Sequence, residues 1–172
     1  MALTRDAAYS DLAWIAPAAV RSRAVESPSE LAAIHAREPW RVRVTEAGDA
    51  TLLARWRPEL DDLAIAGLWC PQRRVTALVA DLAVIAGEHG FARLIAPIVR
   101  EENAQPYLAA GMSIIDRVDV MALRGRELAR AVASSRPLPA GVAVREAGDA
   151  DIEVVSVLDA LCFEPFWHYD TD

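Results

Sequence analysis

The residues best suited to chemistry lie at one junction in the middle of the chain. Residues 63–70 form a short apolar run, typical of a buried strand. The last members of this run are Leu68, Trp69 and Cys70. Two basic side chains, Arg73 and Arg74, follow shortly after. A helix that begins here would point free N–H groups outward beside these positive charges, so the pattern predicts an anion-binding site.

One helix and two strands must position this junction. Apolar residues recur at intervals of three and four from Val75 to Ala86, which predicts an amphipathic helix that ends near Gly90. Residues 94–99 are a second short apolar run, and we expect them to form the returning strand. The central unit is therefore a strand, a helix and a strand.

Two helices and a hairpin are predicted before this unit. The first helix is interrupted or kinked at Pro17. The second follows Ser27, which caps it, and Glu30 completes a capping box. Alternating apolar and polar residues at 40–46, and a return segment at 51–56, predict the hairpin.

The chain after the central unit is predicted to contain further short elements. A short helix ends at Gly111, and Asp149 caps a later helix that carries an apolar stripe. The other predicted elements are a strand at 113–123, a polar helix at 125–135, a proline-containing linker at 135–139 and a strand at 142–146. Residues 42–50 and 142–150 are similar in sequence, and we interpret the similarity as shared turn chemistry, not as a repeat boundary.

The composition indicates an ordinary globular protein. The 172 residues carry a net charge of -7, which argues against a general binder of nucleic acid or anionic membranes. The two cysteines, Cys70 and Cys162, have no metal-ligand spacing, so we expect reduced thiols and no metal site. No apolar run approaches the length of about 20 residues that spans a bilayer. We therefore expect a cytoplasmic protein without a signal peptide.

Two segments resemble a known family. RVTALVADLAVIAGEHGFARLIAPIV, residues 74–99, and ENAQPYLAAGM, residues 102–112, resemble the long helix, the next strand and the following short helix of the GNAT superfamily of acyl-CoA-dependent N-acyltransferases. The resemblance covers about residues 40–123. It implies an α/β (α+β) fold of GNAT type, in which helices flank a mixed, mostly antiparallel sheet.

The resemblance also implies a cofactor and a set of site residues. The cofactor would be acetyl-CoA or another acyl-CoA, and Tyr107 would be the general acid that protonates the leaving thiolate. The alternative for Tyr107 is a tyrosine that only packs at the edge of a helix. The residues that would bind the cofactor are Leu68, Trp69, Cys70, Arg73, Arg74, Val75 and Asn103.

The junction departs from the family pattern at its most specific position. The family holds the CoA pyrophosphate on a glycine-rich loop, where bare N–H groups approach the phosphates closely. Residues 70–75 read CPQRRV, with no glycine and with Pro71, which has no N–H to donate. Two functions remain open. The first is an acyl-CoA-dependent N-acyltransferase, with this chain as the N-terminal portion of a tandem GNAT protein. The second is a catalytically inactive GNAT-like domain that does not bind acetyl-CoA and has a structural or regulatory role.

Acidic residues before the central strand have two interpretations. Glu59, Asp61 and Asp62 stand where a base could deprotonate an amine acceptor. They are equally well explained as solvated loop acids.

The chain is expected to contain more than one part. We predict a GNAT-like domain at residues 1–124 and a helix with a linker at 125–140. Residues 141–172 resemble the start of a second GNAT-like unit, or form a tail that packs on the first domain or on a neighbouring copy. Aromatic residues in this tail suggest a homodimer or a partner domain. These residues are Phe163, Phe166 and Trp167.

Overall fold

The chain divides into two compact units. A computed structural model of the protein describes residues 3–56, 60–118, 126, 130 and 139–162. The first unit comprises residues 1–114 and the second residues 115–172. No helix within the described ranges is both long and apolar enough to cross a bilayer. This division does not test the functions predicted for the domains, which stay predictions.

The first unit contains a five-stranded sheet in which the strands lie in sequence order. Its strands are β1 (Arg5–Asp6), β2 (Val42–Val44), β3 (Ala50–Arg55), β4 (Asp62–Trp69) and β5 (Arg93–Ile95). Neighbouring strands are antiparallel except for β4 and β5, which are parallel. The predicted hairpin and the predicted mixed, mostly antiparallel α+β fold are both confirmed.

Two helices cover one face of this sheet. They are α1 (Leu12–Arg21) and α2 (Pro28–Arg37). α1 runs through Pro17 without interruption, because burial of its apolar face outweighs the one backbone hydrogen bond that a proline removes. The Ser27 hydroxyl accepts a hydrogen bond from the Glu30 N–H at 3.2 Å, which confirms the predicted cap. The Glu30 carboxylate accepts from the N–H of Glu26, not of Ser27, so the predicted capping box is displaced by one residue.

Helix α3 (Gln72–Glu88) covers the other face and carries α4 (Gln105–Ala109) against it. Gly90 and Gly111 follow these helices with φ of 81° and 93°, a conformation that favours glycine and ends each helix as predicted. The strand predicted at 94–99 is shorter than expected, since β5 ends at Ile95. Pro97 lacks the N–H that a longer strand would need.

The chain after α4 differs from its predicted elements. Residues 113–118 and 142–146 form no strand, because β-prone side chains alone do not make a strand without a partner. The rest of the strand predicted at 113–123 lies outside the described residues. The predicted helix at 125–135 also lies outside the described residues, apart from Arg126 and Arg130, which are helical. All of the predicted linker before Pro139 lies outside them as well. The tail aromatics Phe163, Phe166 and Trp167 also lie outside them.

The last described helix is α5 (Ile152–Cys162). Its predicted cap, Asp149, instead opens a 3-10 turn, Asp149–Asp151. The Asp151 N–H closes this turn by donating to the Gly148 carbonyl at 2.8 Å, and the Asp151 carboxylate accepts from the Gly148 N–H at 2.9 Å. The predicted apolar stripe is largely exposed, as in Leu161, which is 79% exposed.

The similar segments 42–50 and 142–150 have different structures, since only the first forms strands. Two other segments, residues 5–11 and residues 145–151, resemble each other more closely in structure. In each, an arginine guanidinium donates to the next backbone carbonyl, at 2.9 Å and 3.0 Å, and pairs with an aspartate six residues later. In each, that aspartate also accepts a backbone N–H, at 2.8 Å and 2.9 Å, before a helix begins. The chain therefore uses one helix-starting device twice.

Candidate functional site

The two parallel strands of the first unit pair over only three residues, and we call the unpaired edge of β4 beyond them the opening. β4 and β5 pair from Asp62 opposite Arg93 to Ala64 opposite Ile95. β4 then continues to Trp69 with no strand beside that edge among the described residues. In open sheets, ligands bind beyond the carboxyl ends of parallel strands, which is where this opening lies.

A β-bulge shapes the same stretch of β4. Leu52 of β3 pairs with Gly67, whereas the next residue, Leu53, pairs with Ile65, so Ala66 is the extra residue. Ala66 is exposed although Ile65 and Gly67 on either side are buried. A bulge leaves a residue unpaired and turns the following side chains, and such irregularities occur often beside active sites.

The three residues that the sequence grouped together lie on opposite faces of the sheet, because successive residues of an extended chain alternate; the bulge before them decides which face each one takes. Leu68 and Cys70 pack against the apolar cluster between the sheet and α3. Trp69 packs on the opposite face, against the cluster beneath α1 and α2, and its indole lies directly over Gly67. Leu68 and Cys70 therefore share a face with α3, and Trp69 does not.

The start of α3 presents its two arginines differently. Arg73 is exposed. Arg74 lies 2.8 Å from the carboxylate of Asp49, in the turn between β2 and β3. Val75 is 8% exposed and belongs to the core between the sheet and α3, which leaves little of its side chain for a ligand. Pro71 is the N-cap residue of α3, and a proline contributes no N–H to an anion there.

Tyr107 and Cys70 lie beside this junction, close enough for Cys70 to affect the pKa of Tyr107. Both pack against the same apolar cluster, and the hydroxyl of Thr76 in α3 fixes α4 by donating to the Pro106 carbonyl at 3.0 Å. Burial raises the pKa of the Tyr107 phenol, and the neighbouring Cys70 raises it further. Burial also raises the pKa of the Cys70 thiol, with a further increase from Asp49 that Arg74 opposes. Tyr107 is therefore protonated at neutral pH and able to donate a proton.

The remaining candidates that the structure describes are either exposed or already paired. Asn103 is exposed in a 3-10 turn, Glu101–Asn103. Asp62 is 1% exposed and accepts hydrogen bonds from the Arg93 guanidinium at 2.6 Å and 2.7 Å, so it is not a solvated loop acid. It lies at the start of β4, away from the opening at the other end, and its full pairing suits a structural role. Asp61 is exposed, and Glu59 lies outside the described residues.

Asp49 is the residue of this site that the sequence did not point to. An aspartate after Gly48 is the ordinary composition of a turn, and nothing local predicts that it pairs with an arginine in α3.

Within the described part of the chain, no group of three or more His, Cys, Asp or Glu side chains could hold a metal ion. Comparison with models of known families, with curated proteins and with solved structures finds no match.

Proposed function

We propose that the first unit is an acyl-CoA-dependent N-acyltransferase domain. The observation that carries the proposal is the end of β4–β5 pairing at Ala64, with the start of α3 and Tyr107 packed in the same cluster as the unpaired end of β4. The resemblance of residues 74–99 and 102–112 to the GNAT superfamily agrees with this assignment.

The edge of β4 beyond Ala64, which has no strand beside it among the described residues, suits the pantetheine arm of an acyl-CoA. That arm is extended and contains amides, which can hydrogen-bond to unpaired backbone groups as an added strand does. Ala66, which is exposed, lies in the part of β4 beyond the pairing with β5. The diphosphate end would lie toward Arg73 and Arg74, whose guanidinium groups bind phosphate oxygens.

Tyr107 is the proposed general acid. In the transfer, an amine nitrogen attacks the thioester carbonyl, the C–N bond forms and the C–S bond breaks. The Tyr107 hydroxyl donates a proton to the departing sulfur, the nitrogen loses a proton to solvent, and solvent returns a proton to the Tyr107 phenolate. The raised pKa of this tyrosine keeps the proton in place until the sulfur becomes basic.

Replacement of Tyr107 by phenylalanine tests this role. We expect the rate of acyl transfer to an amine to fall about 100-fold, a typical contribution of a general acid, with the affinity for CoA unchanged. The rate is measured as release of free CoA, and the affinity by calorimetry. An unchanged rate would assign Tyr107 to packing alone.

Calorimetric titration of the purified chain with CoA and acetyl-CoA tests the proposal as a whole. We expect binding that an Arg73→Ala/Arg74→Ala double variant loses and an Arg37→Ala control retains, because Arg37 lies in α2, away from the junction. No binding heat at high CoA concentration would contradict the catalytic proposal for this chain.

A catalytically inactive GNAT-like domain is the second candidate function. It is favoured by residues 70–75, where Pro71 and the buried Val75 replace a glycine cradle. Side-chain charges hold a diphosphate less directionally than backbone N–H groups do. Failure to bind CoA, with the fold intact by circular dichroism, would favour this candidate.

We further propose a cytoplasmic location, since the described free thiols of Cys70 and Cys162 suit a reducing compartment.

The acidic composition argues against nucleic acid as a partner of this protein. Dimerisation or docking of a partner domain through Phe163, Phe166 and Trp167 remains a proposal, which analytical ultracentrifugation of the full chain tests.

A further inference from the structure

We propose that Asp49 is a positioning residue, which holds the Arg74 guanidinium at the junction so that Arg74 binds the phosphate end of the ligand. This inference rests on the proposed function. It assigns to one arginine the binding of the phosphates that backbone N–H groups of a glycine-rich loop would otherwise provide. It predicts unequal roles for Arg73 and Arg74, although the two are adjacent in the sequence.

The Asp49 side chain is almost completely enclosed, and its position is fixed within the turn. It is 3% exposed, whereas that of Arg74 is 32% exposed. The Asp49 N–H donates to the Thr45 hydroxyl at 3.1 Å, and that hydroxyl donates to the Asp49 carboxylate at 3.1 Å. The Asp49 carbonyl accepts the Thr45 N–H at 3.0 Å. A carboxylate held in this way gives its partner a defined orientation.

The Arg74 guanidinium retains donors for a second acceptor. Its contact with Asp49 is an ion pair from one terminal nitrogen, at 2.8 Å. Arg93 differs, because two of its nitrogens donate to the two oxygens of Asp62. A guanidinium has five N–H groups, so a partly exposed one with a single ion pair can still bind a phosphate oxygen.

The charges of this pair act at the candidate site. Both Asp49 and Arg74 influence the pKa of Cys70, which lies at the end of β4 and packs on the same cluster as Tyr107. A phosphate bound to Arg74 would therefore lie at the same junction as the proposed acid. Arg73 is exposed, and among the residues that the structure describes it has no comparable anchor in a strand turn.

Asp49→Asn distinguishes positioning from simple charge. This variant keeps the shape and the Thr45 hydrogen bonds but removes the ion pair. If Asp49 merely neutralised Arg74, its loss would free the arginine and strengthen binding of an anion. If Asp49 positions Arg74, affinity falls. We expect about tenfold weaker binding of CoA for Asp49→Asn and for Arg74→Gln, and a much smaller change for Arg73→Gln.

The double variant Asp49→Asn/Arg74→Gln provides the decisive comparison. Because Asp49 acts through Arg74, we expect the double variant to bind CoA as weakly as Arg74→Gln alone. A loss of affinity equal to the product of the two single losses would overturn the proposal. So would stronger binding by Asp49→Asn, or equal effects of Arg73→Gln and Arg74→Gln.

Inorganic pyrophosphate, as a second probe, separates this inference from the proposed function. Thermal stabilisation by pyrophosphate that depends on Arg74 and Asp49, without CoA binding, would support the inference and contradict the acyltransferase. CoA binding that is independent of Arg74 would overturn the inference and leave the acyltransferase standing. Binding of neither probe would overturn both. Thermal midpoints measured without ligand identify any variant that fails to fold.

Discussion

The charge environment of a single thiol reports on the candidate site. Cys70 is half-buried at the end of β4, where its pKa is raised mainly by burial. Asp49 raises that pKa further because a nearby negative charge disfavours a thiolate, and Arg74 lowers it for the opposite reason. The thiolate is the reactive form, so the rate of alkylation at a given pH measures this balance.

Alkylation of Cys70 by iodoacetamide should respond to both neighbours in opposite directions. In a Cys162→Ser background, which leaves Cys70 as the one thiol, we expect the midpoint of the pH–rate profile to lie above that of an ordinary thiol. Arg74→Gln should move the midpoint to higher pH and slow the reaction at neutral pH, because a favourable charge is lost. Asp49→Asn should move it to lower pH. Midpoints that do not move would contradict the arrangement of these charges.

At the scale of elements, β4 combines an irregular backbone with a large side chain packed over a glycine. Gly67 follows the bulge, and a β-carbon added there would lie 2.4 Å from the Trp69 ring. The Gly67 carbonyl also accepts a hydrogen bond from the Thr51 hydroxyl at 2.8 Å, which ties this part of β4 to β3. The end of β4 therefore depends on the absence of a side chain at residue 67.

Gly67→Ala should displace the Trp69 indole and destabilise the first unit. We expect a loss of about 1–3 kcal/mol in the free energy of unfolding, as for other overpacked sites. Gly87→Ala is the matched control: a β-carbon there has no neighbour within 4 Å, and alanine should stabilise α3 by about 0.5–1 kcal/mol. Urea titration followed by circular dichroism measures both. Equal effects of the two changes would rule out the close packing of Trp69 on Gly67.

At the scale of the whole molecule, the two units differ in how they bury apolar surface. The largest fully buried side chains that the structure describes all belong to the first unit, Leu82 of α3 among them. In the second unit, α5 exposes most of its apolar residues, such as Leu158 at 55%. The chain thus starts two helices with the same arginine–aspartate device, and among the described residues only the first has an extensive apolar core against it.

The contrast between Leu82 and Leu158 gives a prediction for stability. Leu82→Ala should lower the free energy of unfolding by about 2–5 kcal/mol, because the Leu82 side chain is fully buried and its truncation leaves a cavity in the core. Leu158→Ala should change it by no more than about 0.5 kcal/mol, as expected for an exposed position. Chemical denaturation followed by tryptophan fluorescence measures both changes. A large loss for Leu158→Ala would mean that another surface covers α5 in solution.

Elements whose stabilising interactions are local followed directly from the sequence. Ser27 caps α2 through a hydrogen bond to the N–H three residues on, and Gly90 ends α3 by adopting a conformation that other residues avoid. The hairpin of β2 and β3 and the length of α3 likewise follow from alternation and helical spacing, since each is a property of neighbouring residues. The α+β class is a consequence of their order.

Features that depend on distant partners were decided by the tertiary structure. The β-prone residues at 113–118 and 142–146 form no strand, because a strand needs a neighbour that local sequence does not specify. The end of β4–β5 pairing at Ala64, and the bulge at Ala66, depend on pairing register across the sheet. The Asp49–Arg74 and Asp62–Arg93 pairs join residues from different elements, and their attraction depends on burial and distance. Spacing along the chain encodes neither quantity.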